Sequence, residues 1–151
     1  MQRQRRRRTK RWRWRWQYND ISGELRALNR LGEIATEQKH WVPAESALLA
    51  AVELERTYDQ AQRETHTLLT LSRLNQSRGD LPGANAYAKV AMRLAHKVGI
   101  ADATTEVRLQ MAIVNGAIGN RPAAIIQLAE VQVEAGRIHD AYLQQAGTAR
   151  A

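Results

Sequence analysis

A repeat of forty residues constrains this chain more than any other feature. Ala44, Ala84 and Ala124 recur at that interval, and Leu31, Leu71 and Met111 recur in the segments before them. Leu48, Ala88 and Leu128 follow in the same phase, then Ala51, Ala91 and Val131. A period of this length marks stacked units, each too small to bury its own apolar face, so that every unit stabilises its neighbours. The stretch 31–54 reads as two amphipathic helices around a tight corner, and the later units repeat that pattern.

Helix boundary signals fall in the same phase. Pro43, Pro82 and Pro122 sit in the first turn of each second helix, where the missing N–H of proline costs nothing. Asp80 and Asn120 are predicted N-caps, and Gly79 and Gly119 suit the left-handed position that closes a helix, a place held by Lys39 in the first unit. The spacing predicts first helices near 22–38, 60–78 and 103–118, with Asp102 as N-cap of the last. Their partners are expected near 43–57, 81–97 and 122–135. Gly136 is expected to end the sixth helix, which leaves 138–148 as a seventh, C-terminal capping helix over the open end of the stack.

With 151 residues and neither cysteine nor phenylalanine, the chain has no disulfide or thiolate chemistry and must build its core from Leu, Ala, Val and Ile. Alanine favours helices and lets them approach closely, so the fold class is all-α. Gly32, Ala44, Ala84 and Ala124 are expected at the close crossings, with Leu28, Leu31, Leu48, Leu68, Leu71 and Leu128 filling the gaps. Acid pairs such as Glu53 and Glu55 read as solvated helix faces.

The formal charge of +8 is unevenly spread. Residues 3–16 hold eight Arg and one Lys with no acid, so 14 of the 23 Lys and Arg remain to face all 15 Asp and Glu, and residues 19–151 carry about −1. Two domains follow: a basic arm, 1–18, expected to be disordered when free, and a helical repeat domain, 19–151. In the arm, Arg5, Arg6, Arg7 and Arg8 form a block, followed by strict alternation of Arg11, Trp12, Arg13, Trp14, Arg15 and Trp16. An extended chain puts those three tryptophans on one face and the arginines on the other.

Three readings of the arm stay open. Arginines neutralising phosphates while tryptophans stack on unpaired bases suit RNA or DNA. Tryptophan at a lipid interface with cations over anionic headgroups suits a membrane surface. A low-complexity leader or misplaced start has no selected role. The arm resembles short Arg/Trp-rich membrane-active peptides, and its Arg block resembles arginine-rich RNA-binding arms. No run approaches the ~18 apolar residues of a membrane span, and no apolar segment follows the arm as a secretory signal requires. A cytoplasmic protein is expected.

The body carries a family resemblance. The Leu31-Gly32 pair, the turn around Trp41, Ala44, Leu48 and Ala51 resemble the tetratricopeptide repeat (TPR) signature. Leu71, Gly79, Asp80, Leu81, Ala84 and Ala91 match it in the second unit. Gly119, Ala124 and Leu128 match it in the third, where Arg121 replaces the apolar turn residue. The period of forty exceeds the common 34. It is similar to the longer variant of kinesin light chains and of the helical regions of large bacterial signalling ATPases and transcription activators. The resemblance implies an α-solenoid of three antiparallel helix pairs with a concave surface lined by the first helix of each pair, which receives a peptide or protein.

Carried onto this chain, that lining is Arg26, Asn29, Glu33, Thr36 and Glu37, then His66, Leu69, Arg73, Gln76 and Ser77, then Glu106, Leu109, Ile113 and Gly116. Leu69, Leu109 and Ile113 are the apolar anchors that a binding face needs. The Lys and Asn set with which some TPR domains clamp a C-terminal carboxylate is unmatched, because Glu33 and Glu106 stand where the clamp needs neutral or basic groups.

No catalytic constellation appears. His40, His66, His96 and His139 lack any metal-ligand spacing, and there is no phosphate-cradling glycine loop or nucleophile elbow. No catalytic, metal or cofactor site is expected. The Asn75-Gln76-Ser77 glycosylation consensus falls inside a predicted helix. The sequence therefore points to a non-enzymatic scaffold that binds protein or peptide, with an arm for anionic partners and with room for oligomerisation. The alternatives are a nucleic-acid-associated regulator working through the arm, and a membrane-active peptide on a helical carrier.

Overall fold

The computed structural model describes residues 21–99 and 101–149, which form six helices. They are α1 (21–37), α2 (Trp41–Thr57), α3 (Ala61–Ser77), α4 (Leu81–Val98), α5 (Ala101–Ile118) and α6 (Arg121–Ala149). Each of α2 to α5 packs against the next helix in the chain, and α3 also touches α5. That second contact brings first helices together along one side of the stack. The arm lies outside the described residues.

The corners have a finer rhythm than the repeat. Lys39, Asp59, Gly79, Gly99 and Gly119, twenty residues apart, have φ of 59°, 52°, 87°, 72° and 90°. The residue after the corner donates its N–H to the carbonyl five positions earlier: His40 to Ala35 at 2.8 Å, Gln60 to Glu55 at 2.7 Å, Asp80 to Asn75 at 2.8 Å and Asn120 to Asn115 at 2.8 Å. A left-handed residue closed by such a bond is the Schellman stop, which satisfies carbonyls that a helix end would otherwise leave bare. Asp80 caps α4 by accepting from the Gly83 N–H at 3.0 Å, and Asn120 accepts from the Ala123 N–H at 3.4 Å. Asp102, by contrast, lies inside the first turn of α5, which already begins at Ala101, and is not its N-cap.

The expected seventh helix does not exist as a separate element, because α6 runs through Gly136 to Ala149 in one piece. The next corner in the rhythm would fall at His139, which stays helical. Gly136 comes three residues early for that corner. A glycine inside a helix costs about 1 kcal/mol relative to alanine, too little to stop a 29-residue helix without a turn sequence behind it.

The core centres on Ala44, Leu48, Val52, Leu68, Leu69, Leu71, Leu74, Ala91 and Val107, with Trp41, Tyr87 and Met111 packed against it. Gly32, Ala44, Ala84 and Ala124 are buried. A Cβ added to Gly32 would stand 2.5 Å from Leu48 Cγ, so α1 and α2 cross at a distance that only glycine permits.

Two of the expected core leucines lie outside it: Leu31 is 58 % exposed and Leu128 44 %. Leu71, the counterpart of Leu31, shares its side of α3 with Glu64 and Thr67, which bond to Arg56 and Glu55 of the preceding helix α2. Among the described residues no helix precedes α1 to cover Leu31. Leu128 corresponds to Leu48 and Ala88, which are buried in α2 and α4, and Leu48 lies against Gly32 of α1. No described helix follows α6.

Polar stitches join the units. Arg78 grips Glu45 at 2.8 and 3.3 Å and also bonds Asn75 and Asp80 at 2.6 and 3.4 Å, tying α2 to the corner between α3 and α4. Ser72 donates to the Ala84 carbonyl at 2.8 Å, and Gln110 reaches back from α5 to Gln76 at 2.7 Å.

Candidate peptide-binding groove

Helices α1, α3 and α5 present one face to a channel made of two recesses. The first, about 480 Å³, is lined by Asn29, Gln62, Arg63 and His66. The second, about 180 Å³, lies between α3 and α5 and is lined by Gln62, Thr65, His66, Leu69, Asp102, Ala103, Glu106 and Val107. Gln62 and His66 belong to both, so the recesses adjoin along α3. Helical spacing explains the set: Gln62, His66 and Leu69 lie one turn apart on α3, as do Asp102 and Glu106 on α5.

The floor and the walls differ in character. Leu69 and Val107 are 2 % and 0 % exposed and supply an apolar floor. The Asp102 and Glu106 carboxylates stand exposed at one end, and the Arg63 guanidinium stands exposed at the other, 3.5 Å from the Ser22 hydroxyl. The arrangement offers acceptors, donors and an apolar seat in sequence along one channel.

Below the first recess lies a buried polar cluster. Glu55, which the sequence places on a solvated face, is 0 % exposed. Its Oε1 accepts from Asn29 Nδ2 at 3.1 Å and from the Thr67 hydroxyl at 2.9 Å, while Oε2 has no partner. Burial pushes the Glu55 carboxyl above its ordinary value of 4.5; the Asn29 and Thr67 hydrogen bonds oppose that shift, Glu64 adds to it and Arg63 opposes it. The cluster fixes the rotamer of Asn29 and so shapes the edge of the channel.

Of the fourteen residues expected to line the concave face, Ser77 and Gly116 are exposed and line neither recess, and the other twelve divide into groups. Asn29, His66, Leu69 and Glu106 meet in the channel, with Leu69 as its buried floor and not as a free anchor. Leu109 and Ile113 are exposed along α5 at 42 % and 45 %. Arg26, Glu37 and Arg73 are exposed but line neither recess. Glu33 pairs with Arg30 at 3.3 Å, Thr36 donates to the Gly32 carbonyl at 2.7 Å, and Gln76 accepts from Gln110, so these three are engaged within the fold. Sequence reasoning missed Gln62, Arg63, Thr65, Asp102, Ala103 and Val107. Gln62 and Asp102 lie one helical turn before His66 and Glu106, and that spacing is the signal that finds them.

The TPR domain of Arabidopsis FLU superimposes on this chain with a TM-score of 0.64 at 17 % sequence identity, covering 85 % of this chain and 98 % of that domain. The fold is a TPR-type solenoid. No protein-family model and no curated protein matches the sequence. Among the described residues no helix of this TPR-type stack is long and apolar enough to cross a membrane.

Proposed function

We propose that the groove of α1, α3 and α5 binds an extended peptide segment of a protein partner, without any bond-making step. The adjacency of the two recesses, which share Gln62 and His66 along α3, carries this reading. An apolar side chain of the peptide seats on Leu69 and Val107. A cationic or N–H group meets Asp102 and Glu106, and Gln62 and Arg63 donate to peptide carbonyls. A cytosolic setting suits a chain without cysteine. The test is selection of displayed twelve-residue peptides on the full chain, followed by titration of the winners. The Glu106→Lys and His66→Ala variants are expected to weaken binding at least about tenfold, some 1.4 kcal/mol, while Val42→Glu on α2 leaves it unchanged. Equal affinity for all four proteins overturns the groove.

The arm supports a second contact. Its nine cations and alternating tryptophans suit an anionic polymer or surface, and full engagement with duplex DNA sets an upper salt slope of about −8. The full chain and a version beginning at Asn19 are compared on single-stranded RNA, duplex DNA and anionic vesicles over a salt series. Equal binding by the two versions removes the arm from the function.

A further inference from the structure

We propose that α6 is the contact of a two-fold dimer, in which a second copy of this chain covers the exposed seam of that helix. The observation is a seam along α6 with the three-and-four spacing of a helix pair: Ile125, Leu128, Gln132, Ala135, His139 and Tyr142. Ile125 is 67 % exposed, Leu128 44 % and Tyr142 69 %, and the other three are exposed as well. Leu128, Gln132 and Ala135 correspond, at the repeat of forty, to Ala88, Met92 and Ala95 of α4 and to Leu48, Val52 and Glu55 of α2. In those helices the same positions are buried or half-buried. The side that builds the solenoid is thus present on α6 and uncovered.

Charge selects the occupant. The seam holds no Asp, Glu, Lys or Arg between Ile125 and Leu143, and neither do the adjoining exposed Ala129 and Gly136. The charged residues of that span, Glu130, Glu134, Arg137 and Asp140, project from the opposite half of the helix, where Glu130 holds Arg108 at 3.0 Å. A strongly charged partner finds nothing here to pair with, whereas an identical uncharged seam meets its match. The helical body carries about −1, so two bodies repel each other little.

Register follows from the symmetry. In an antiparallel two-fold pair, Ile125 of one copy lies opposite Tyr142 of the other, Leu128 opposite His139, and Gln132 opposite Ala135, and every contact occurs twice. Ala129 and Gly136 leave room for the helices to cross closely beside the large residues. The exposed side chains of the seam amount to on the order of 600 Å² per copy, so a pair covers about 1,200 Å², the lower edge of stable interfaces.

Sedimentation equilibrium of the full chain tests this after nuclease treatment and in about 0.5 M salt, where contacts through the arm are screened. The expected mass is about 34 kDa, twice 17.1 kDa, relaxing to the single mass on dilution between about 200 and 1 µM. The Leu128→Glu/Tyr142→Glu variant is expected to stay at the single mass throughout, with an unchanged circular dichroism spectrum because both side chains are exposed. Val42→Glu/Leu49→Glu, which places two carboxylates on α2, should still dimerise. A wild-type chain at 17.1 kDa at every concentration overturns the proposal, as does a dimer that survives in the seam variant.

Discussion

Glu55 is the residue whose chemistry departs furthest from its sequence context. Its carboxyl is held above 4.5 by burial, so the folded chain binds a proton that the unfolded chain releases. Stability from this group is fully present below about pH 4.5 and is lost as pH rises through the raised folded value. Thermal unfolding followed from pH 4.5 to 7 should show that decline, and Glu55→Gln, which keeps an acceptor for Asn29 and Thr67, should flatten it. Gly32 presents a steric constraint instead. Gly32→Ala drives a methyl into Leu48, which is 1 % exposed and has nowhere to go, and should cost about 1–3 kcal/mol in urea unfolding. The sequence marked Gly32 correctly, because a small residue at a repeat position states its own reason. It hid Glu55, because a buried glutamate looks like any surface one until Asn29 and Thr67, 26 and 12 residues away, are folded onto it.

At the scale of the element, the corners were legible where glycine or proline marks them and obscure where the phase alone does. Lys39 adopts left-handed backbone with a side chain that disfavours it, and Asp59 does so with a short polar side chain that tolerates it better. Lys39→Gly should therefore stabilise the chain by about 1 kcal/mol, and Gly79→Ala should destabilise it by about as much. Helix α6 gives the opposite lesson. Gly136 looked like a stop signal, yet it is exposed and helical, and a Cβ added there would meet open space. In the dissociated chain, at about 1 µM, Gly136→Ala should raise the unfolding midpoint, by about 1 kcal/mol in stability, whereas a glycine that closed a helix would show a loss. The channel was half legible for a related reason. Residues on first helices could be assigned to the concave side from the repeat, but which of them remain available depended on pairings such as Gln76 with Gln110 that only packing reveals.

At the scale of the molecule, stability in a stack comes from each unit and its neighbours, so the middle is better supported than the ends. Helices α3 and α4 carry Leu68, Leu71, Leu74, Ala84, Ala88, Ala91 and Ala95, each at most 3 % exposed. Hydrogen exchange should be slowest in those two helices and fastest beyond residue 138 of α6, and uniform protection along the chain would contradict a stack of this kind. The repeat let the architecture be read from the sequence almost whole. The coverage of its two outer faces could not be read, because a repeat specifies what lies between units and is silent about what lies past the last one. The twenty-residue spacing of the corners has a mechanical consequence. Pulled from its ends, a chain folded this way has seams of similar span between successive helices, and each helix that peels away releases about 70 Å of slack. The spans between the corners at Lys39 and Gly119 would thereby lengthen in steps of equal size, and α6, at 29 residues, in a longer one.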